Sequence, residues 1–339
     1  MLYVEIDLKK LKNNIEEIIK TTGKEIIPII KSNAYGLGDI EIARHLKKAG
    51  IKLMAVVDIQ EAMHLVNAKI EADILILNGV DSSDYYWLNQ HKNIVVTVNS
   101  LEEAENLNAY FFTRPIKVHF QIDTGMNRLG FCDVENFDRA YRLISANSTF
   151  IPEGIYTHFT DEKNHQYQEE KFIEFLNGKN FKYIHCAATS TYHFSQAGNF
   201  LRIGLDLYGT EDKTQQIIKI ITKPLAIKKV KKGETVGYDR AYQANKDEFI
   251  AVLPIGYYNG YRRSLAGFPV LVNGKRYPTI GKVCMNHLFV KVDASITLDN
   301  EFIITSSELP ISEMARYLNT IPHEILCMFN ITDKKYIGG

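Results

Sequence analysis

Ile29-Ile30-Lys31-Ser32-Asn33-Ala34-Tyr35-Gly36-Leu37-Gly38 joins the end of an apolar run to a glycine-bearing turn. The preceding residues, Ile26-Ile27-Pro28-Ile29-Ile30, read as a fully buried strand, and Asp39 to Ala49 reads as the helix that follows. Lys31 therefore falls at the carboxyl end of a strand, the end that faces the active site in parallel α/β folds. A lysine there either snorkels to solvent or holds an amine for imine chemistry with a carbonyl. Position alone favours the first.

Outward from that stretch, strand-like runs alternate with helical patterns as far as residue 209. The strands expected are 26–31, 53–58, 73–78, 93–98, 116–122, 153–159, 183–187 and 201–207, several followed by an amphipathic stretch such as Leu101 to Phe112. About eight such units is the count of a closed (β/α)8 barrel of the TIM type. No glycine-rich dinucleotide turn follows the early strands, which argues against an open doubly wound sheet. After Thr210 comes the polar connection Glu211-Asp212-Lys213-Thr214-Gln215-Gln216. Short strands then alternate with turn signals such as Lys231-Lys232-Gly233-Glu234 and Val272-Asn273-Gly274-Lys275. The expected fold is α/β: a barrel over 8–212 and an all-β domain over 213–339.

Composition bounds the function. The chain has 339 residues, enough for two domains; 45% are hydrophobic and 24% charged, as in ordinary globular proteins. Lys+Arg and Asp+Glu balance at 40 each, which argues against a nucleic-acid or membrane-surface partner. The chain shows no basic-then-apolar leader and no apolar span of about 18 residues, so a soluble cytoplasmic protein is expected. Cys132, Cys186, Cys284 and Cys327 are dispersed and form no metal-binding or redox pair, so reduced thiols and no metal are expected.

Lys31-Ser32-Asn33-Ala34-Tyr35-Gly36 resembles the pyridoxal-phosphate lysine motif of alanine racemases. Further blocks match that family in order: Asp123-Thr124-Gly125-Met126-Asn127-Arg128-Leu129-Gly130-Phe131, Thr157-His158-Phe159, Arg202-Ile203-Gly204 with Leu207-Tyr208-Gly209, Val236-Gly237-Tyr238, Gly256-Tyr257, and Gly281-Lys282-Val283-Cys284-Met285. The resemblance implies a barrel plus a β domain, joined by the first strand (1–7). It also implies a homodimer with shared active sites and a small amino-acid substrate, with alanine racemised to supply D-alanine for peptidoglycan.

Residue by residue, the resemblance implies that Lys31 carries the cofactor and serves as one base. Tyr238 of the other subunit is the second base. A phenol needs help to act near neutrality, and His158 matches the family's partner histidine. Arg202 matches the arginine that contacts the pyridine nitrogen, and His185 the histidine that orients it. Tyr35, the hydroxyl of Thr189 with Ser190 as its neighbour, the backbone N–H groups of Gly204 and Leu205, and His323 are implied at the cofactor phosphate. Arg128 and the N–H of Met285 meet the substrate carboxylate, and Tyr257 stands at the entrance.

Several family positions are altered. A lysine that many members carry as a carbamate is Gln121, whose carbonyl can accept from Arg128 without neutralising it. Expected aspartates read Asn259 and Asn286, and a Tyr-Glu pair reads His323-Glu324. All proton-transfer candidates remain. Racemisation of serine or a broader set of amino acids is a second reading. A non-catalytic cofactor-binding paralogue is a third, and retention of Lys31, Tyr238, His158, Arg202 and His185 together speaks against it.

Overall fold

The computed structural model describes residues 1–189, 191–210 and 214–339. They form two compact units, one of 15–34 and 38–207, the other of 1–14, 35–37 and 208–339. The expected change of domain at 212/213 lies outside the described residues.

The chain enters on β1 (Leu2–Asp7). The strands of the first unit are β2 (Glu25–Pro28), β3 (Leu53–Val56), β4 (Asp73–Ile76), β5 (Ile94–Val98), β6 (Ile116–Gln121), β7 (Phe150–Tyr156), β8 (Tyr183–His185) and β9 (Phe200–Ile203). All ladders among them are parallel: β3 to β8 pair in sequence, and β2 pairs with β9. Backbone bonds complete the ring. Ile30 N donates to Ala55 O (2.9 Å) after β2, while Asn199 N and Arg202 N donate to Ile184 O (3.0 Å) and Ala187 O (3.1 Å) beside β8. Strands enclosed on both faces are near-continuous apolar runs, and β3 and β5 are buried at every residue. The eight expected strands are therefore the eight of a (β/α)8 barrel, and their βα order forms the fold.

The strand limits differ from expectation by one to four residues throughout, and most at β7 and β9. β7 starts at Phe150 and so includes Pro152. The register shifts there, from Val118 opposite Pro152 to His119 opposite Gly154, and a proline without an N–H is tolerated at a bulge. The last barrel strand stops at Ile203, and Leu205–Tyr208 is a helical turn. Buried Asp206 anchors that turn by accepting from Tyr192 Oη at 2.9 Å.

The second unit adds β10 (Ile218–Thr222), β11 (Ala226–Val230), β12 (Thr235–Val236), β13 (Tyr242–Gln243), β14 (Glu248–Leu253), β15 (Pro269–Val272), β16 (Lys275–Ile280), β17 (Leu288–Val292), β18 (Phe302–Thr305) and β19 (Lys334–Ile337). Nine strands form one sheet in the order β11-β14-β17-β16-β15-β18-β10-β1-β19, and β12 pairs with β13. β1 lies antiparallel to β10 and parallel to β19, which ties the amino terminus into this sheet. Asn273 and Gly274, at φ 50° and 75°, form the two-residue hairpin their identities demand between β15 and β16.

Candidate active site

Lys31 directly follows the last barrel bond of its strand, which Ile30 N makes to Ala55 O at 2.9 Å. The expected turn after it is left-handed: Ser32, Asn33, Ala34 and Tyr35 have φ between 51° and 57°. A left-handed turn costs an L-residue roughly 1–2 kcal/mol at each position, so it must be held. Glu61 does part of this, its two oxygens accepting from Ser32 N at 2.5 Å and Val57 N at 2.8 Å. Asn33 does the rest, accepting from Gly38 N (2.9 Å) and Asp39 N (3.0 Å) before the helix Asp39–Lys48 begins. Strain of this kind collects where a side chain must be aimed.

Arg202, on β9, is 4% exposed. Its Nη1 donates to His185 Nδ1 at 2.9 Å and to the His185 carbonyl; its Nη2 donates to the carbonyls of Thr157 and Cys186 and faces His158 Nδ1 at 3.3 Å. No carboxylate meets it among the described residues, and Nε–H has no acceptor there. Burial without a counter-charge pulls the guanidinium down to about 10. The Tyr156 ring covers it at 5.0 Å and stacks on His185 at 4.8 Å.

The histidines around this cation are neutral. Burial, then Arg202, Arg128 and Lys31, push His158 down to about 3, and burial with Arg202 takes His185 well below its ordinary value. Three cationic groups thus act on one imidazole, in a setting made for an anion.

Thr189 Oγ accepts from Gly204 N at 3.3 Å, where β9 gives way to the turn that Leu205 opens. Ser190 lies outside the described residues. Arg128 is exposed on a loop wound about Asp123, whose carboxylate accepts from the N–H groups of Gly125 (2.8 Å), Asn127 (3.0 Å) and Arg128 (3.1 Å). Gln121 does not meet Arg128 as expected: its Oε1 accepts from Tyr156 Oη at 2.8 Å, because its strand directs it to the barrel interior.

In the β unit, Tyr238 is 67% exposed at the head of a tight turn in which Asp239 and Arg240 have positive φ. Val236, Ile250 and Ile280 with Phe289 and Tyr242 form the apolar cluster around that turn's base. Tyr257 N donates to Cys284 O (3.1 Å) and Tyr258 N to Met285 O (3.0 Å), so the loops of Tyr257 and Met285 are bound together. A Cβ on Gly256 would fall 2.2 Å from Cys284 O, so only glycine permits that approach. Tyr35 is buried in this same unit against Tyr208 (5.3 Å) and His323 (6.2 Å), and burial raises its hydroxyl.

The residues implied by resemblance thus fall into two groups. The barrel carries Lys31, Arg202, His158, His185, Thr189, Gly204, Leu205 and Arg128; the β unit carries Tyr35, Tyr238, Tyr257, Met285 and His323. His119, which bonds to His185, was missed. Its signal in sequence is the alternation of Lys117, His119 and Gln121 with Ile116, Val118 and Phe120, which puts three polar residues on one face of a barrel strand.

Among the described residues no helix is long and apolar enough to cross a membrane, and no group of three or more His, Cys, Asp or Glu is placed to hold a metal.

Family models for the alanine racemase N-terminal domain and C-terminal domain match residues 6–212 and 217–336. An alanine racemase of Macrococcus caseolyticus is 32% identical, over 99% of this chain and 95% of the relative. The alanine racemase of E. faecalis superposes with a TM-score of 0.92 at 28% identity, over 99% of this chain and 98% of that one. The Bacillus anthracis alanine racemase, solved with bound L-Ala-P, gives 0.89 at 28% identity over 99% and 95%.

Proposed function

The chain belongs to the alanine racemase family, and on that premise we propose that Lys31 and the partner subunit's Tyr238 exchange the α-proton of alanine from opposite faces. The enzyme is a pyridoxal-phosphate-dependent isomerase that interconverts L- and D-alanine. The observation that carries this reading is the buried Arg202, pinned by His185 and His158 with no acceptor for its Nε–H among the described residues.

That donor set fits the cofactor. Pyridoxal phosphate supplies a conjugated ring that takes up the electron pair left when an α-proton departs. Arg202 would donate to the ring nitrogen and leave it unprotonated, because a guanidinium does not readily give up its proton. Lys31 would hold the aldehyde carbon through its amine. Thr189, Ser190, Tyr35, His323 and the N–H groups of Gly204 and Leu205 would hold the phosphate.

Two groups must move the proton, because one base cannot reach both faces of the carbon. The freed Lys31 amine serves one face and the partner's Tyr238 the other, with neutral His158 available to the phenol. Arg128 and the Met285 N–H hold the substrate carboxylate, and Tyr257 borders the entrance. The homodimer is supported by the exposure of Tyr238, Tyr257, Tyr258 and Met285, an apolar set rarely left bare on a monomer. Four free cysteines fit the reducing cytoplasm.

The reading is tested by borohydride reduction of the purified protein, which should fix the cofactor on Lys31, and by chiral analysis after incubation with each L-amino acid. Label on another lysine, or no D-alanine formed, overturns it.

A further inference from the structure

The hydrogen-bond chain that starts at Arg202 does not stop at His185. Nε2 of His185 lies 2.9 Å from Nδ1 of His119, which is fully buried on β6. The direction of each bond follows from the first donor. Arginine only donates, so His185 Nδ1 accepts from Nη1 and the proton of a neutral His185 sits on Nε2. That N–H donates to His119 Nδ1, and His119 carries its own proton on Nε2, facing Glu153 Oε1 at 3.9 Å.

The backbone is shaped around the His119 ring. The extra residue of β7 opposite Val118 and His119 is Glu153, and the residue then paired with His119 is Gly154. A Cβ on Gly154 would lie 2.4 Å from His119 Cδ2. A bulge and a glycine thus coincide at one point of an otherwise regular barrel, and together they make room for an imidazole. On the other side, Val118 and Phe120 point away, Phe120 packing on Phe137 at 5.5 Å.

We infer that His119 is a positioning residue for Arg202: by accepting from His185 Nε2 it holds His185 in the tautomer and ring orientation that receive the guanidinium. Without that acceptor, His185 has an N–H with no partner in a dry interior, and turning the ring to find one abandons Arg202. The inference deepens the racemase reading and rests on it for the consequence in turnover.

Histidine-selective 15N NMR of the full-length holoenzyme reads the tautomers, with His185→Asn and His119→Asn supplying the assignments. Wild-type protein should show His185 and His119 both protonated on Nε2. His119→Leu should lose the fixed His185 pattern, whereas His119→Asn, whose Oδ1 sits about where the imidazole Nδ1 was, should keep it.

In kinetics with alanine, His119→Leu should lose on the order of 10-fold in kcat with KM nearly unchanged, the result expected when a catalytic group is displaced by a fraction of an ångström. His119→Asn should recover most of that loss, which a purely space-filling role would not predict. Wild-type turnover in His119→Leu overturns the inference. So does a His185 proton on Nδ1 in the wild-type protein, a result that needs no variant to fold. A wild-type protein that does not racemise sinks the racemase reading instead, and the tautomer measurement still decides the role of His119.

Discussion

Nη2 of Arg202 lies 3.3 Å from Nδ1 of His158, so the imidazole meets a cation that only donates and must itself stay neutral. His119 is likewise held neutral, pushed down to about 3 by burial and then by Lys182, Arg202 and Lys117, and His185 lies well below its ordinary value. In the unfolded chain each would take up a proton near pH 6.5. The folded-state values are lower, so this stability is fully present above about 6.5 and is lost as pH falls toward them. For fully buried His119 the loss at pH 5 is on the order of 2 kcal/mol, and His185 adds to it in the same direction. The melting temperature should fall between pH 7 and pH 5, and less steeply in His119→Asn. A flat profile would mean that the folded protein admits these protons.

Asp123→Ala should act on substrate binding. Its carboxylate holds three loop N–H groups, those of Gly125, Asn127 and Arg128, that set Arg128, and hydrogen bonds to a charged group contribute about 1.5–3 kcal/mol each before water replaces them. We expect KM for alanine to rise roughly 10-fold and kcat to change little. A fall in kcat at constant KM would show that the loop serves the proton transfer rather than the carboxylate.

Tyr238→Phe removes one phenolic oxygen from an exposed turn, so the fold and cofactor binding should persist while exchange on one face stops. Mixed with Lys31→Ala subunits, it should regain activity, because one of the two sites in a heterodimer then pairs an intact lysine with an intact tyrosine. Verified heterodimers without any activity would argue that each site is built from a single chain.

His323 stands at 6.2 Å from the Tyr35 ring, at a position where the resemblance implies a tyrosine. An imidazole is shorter than a phenol and offers a further hydrogen-bond partner, one bond contributing roughly 0.5–1.5 kcal/mol. Serine should therefore be racemised beside alanine, and His323→Tyr should shift the kcat/KM ratio several-fold toward alanine. An unchanged ratio would remove His323 from the specificity pocket.

What the amino-acid order by itself determined here is whatever depends on neighbours along the chain. Parallel strands enclosed on both faces are near-continuous apolar runs, so β3 and β5 could be read directly, and Asn273-Gly274 specifies its hairpin through backbone angles alone. Lys31 was placed by the same local logic. The handedness of the turn after it was not, because four residues in left-handed angles are held by Glu61, a side chain 29 positions away from Ser32. The histidine chain was equally hidden. His119 and His185 stand 66 residues apart, and Arg202 and His158 stand 44 apart. Their meeting depends on barrel closure, on a bulge at Glu153 that no local preference requires, and on Gly154 lying opposite His119. The tertiary structure alone decided that Gln121 would accept from Tyr156 and not from Arg128, because the strand aims its side chain inward while the Asp123 loop carries Arg128 out to solvent.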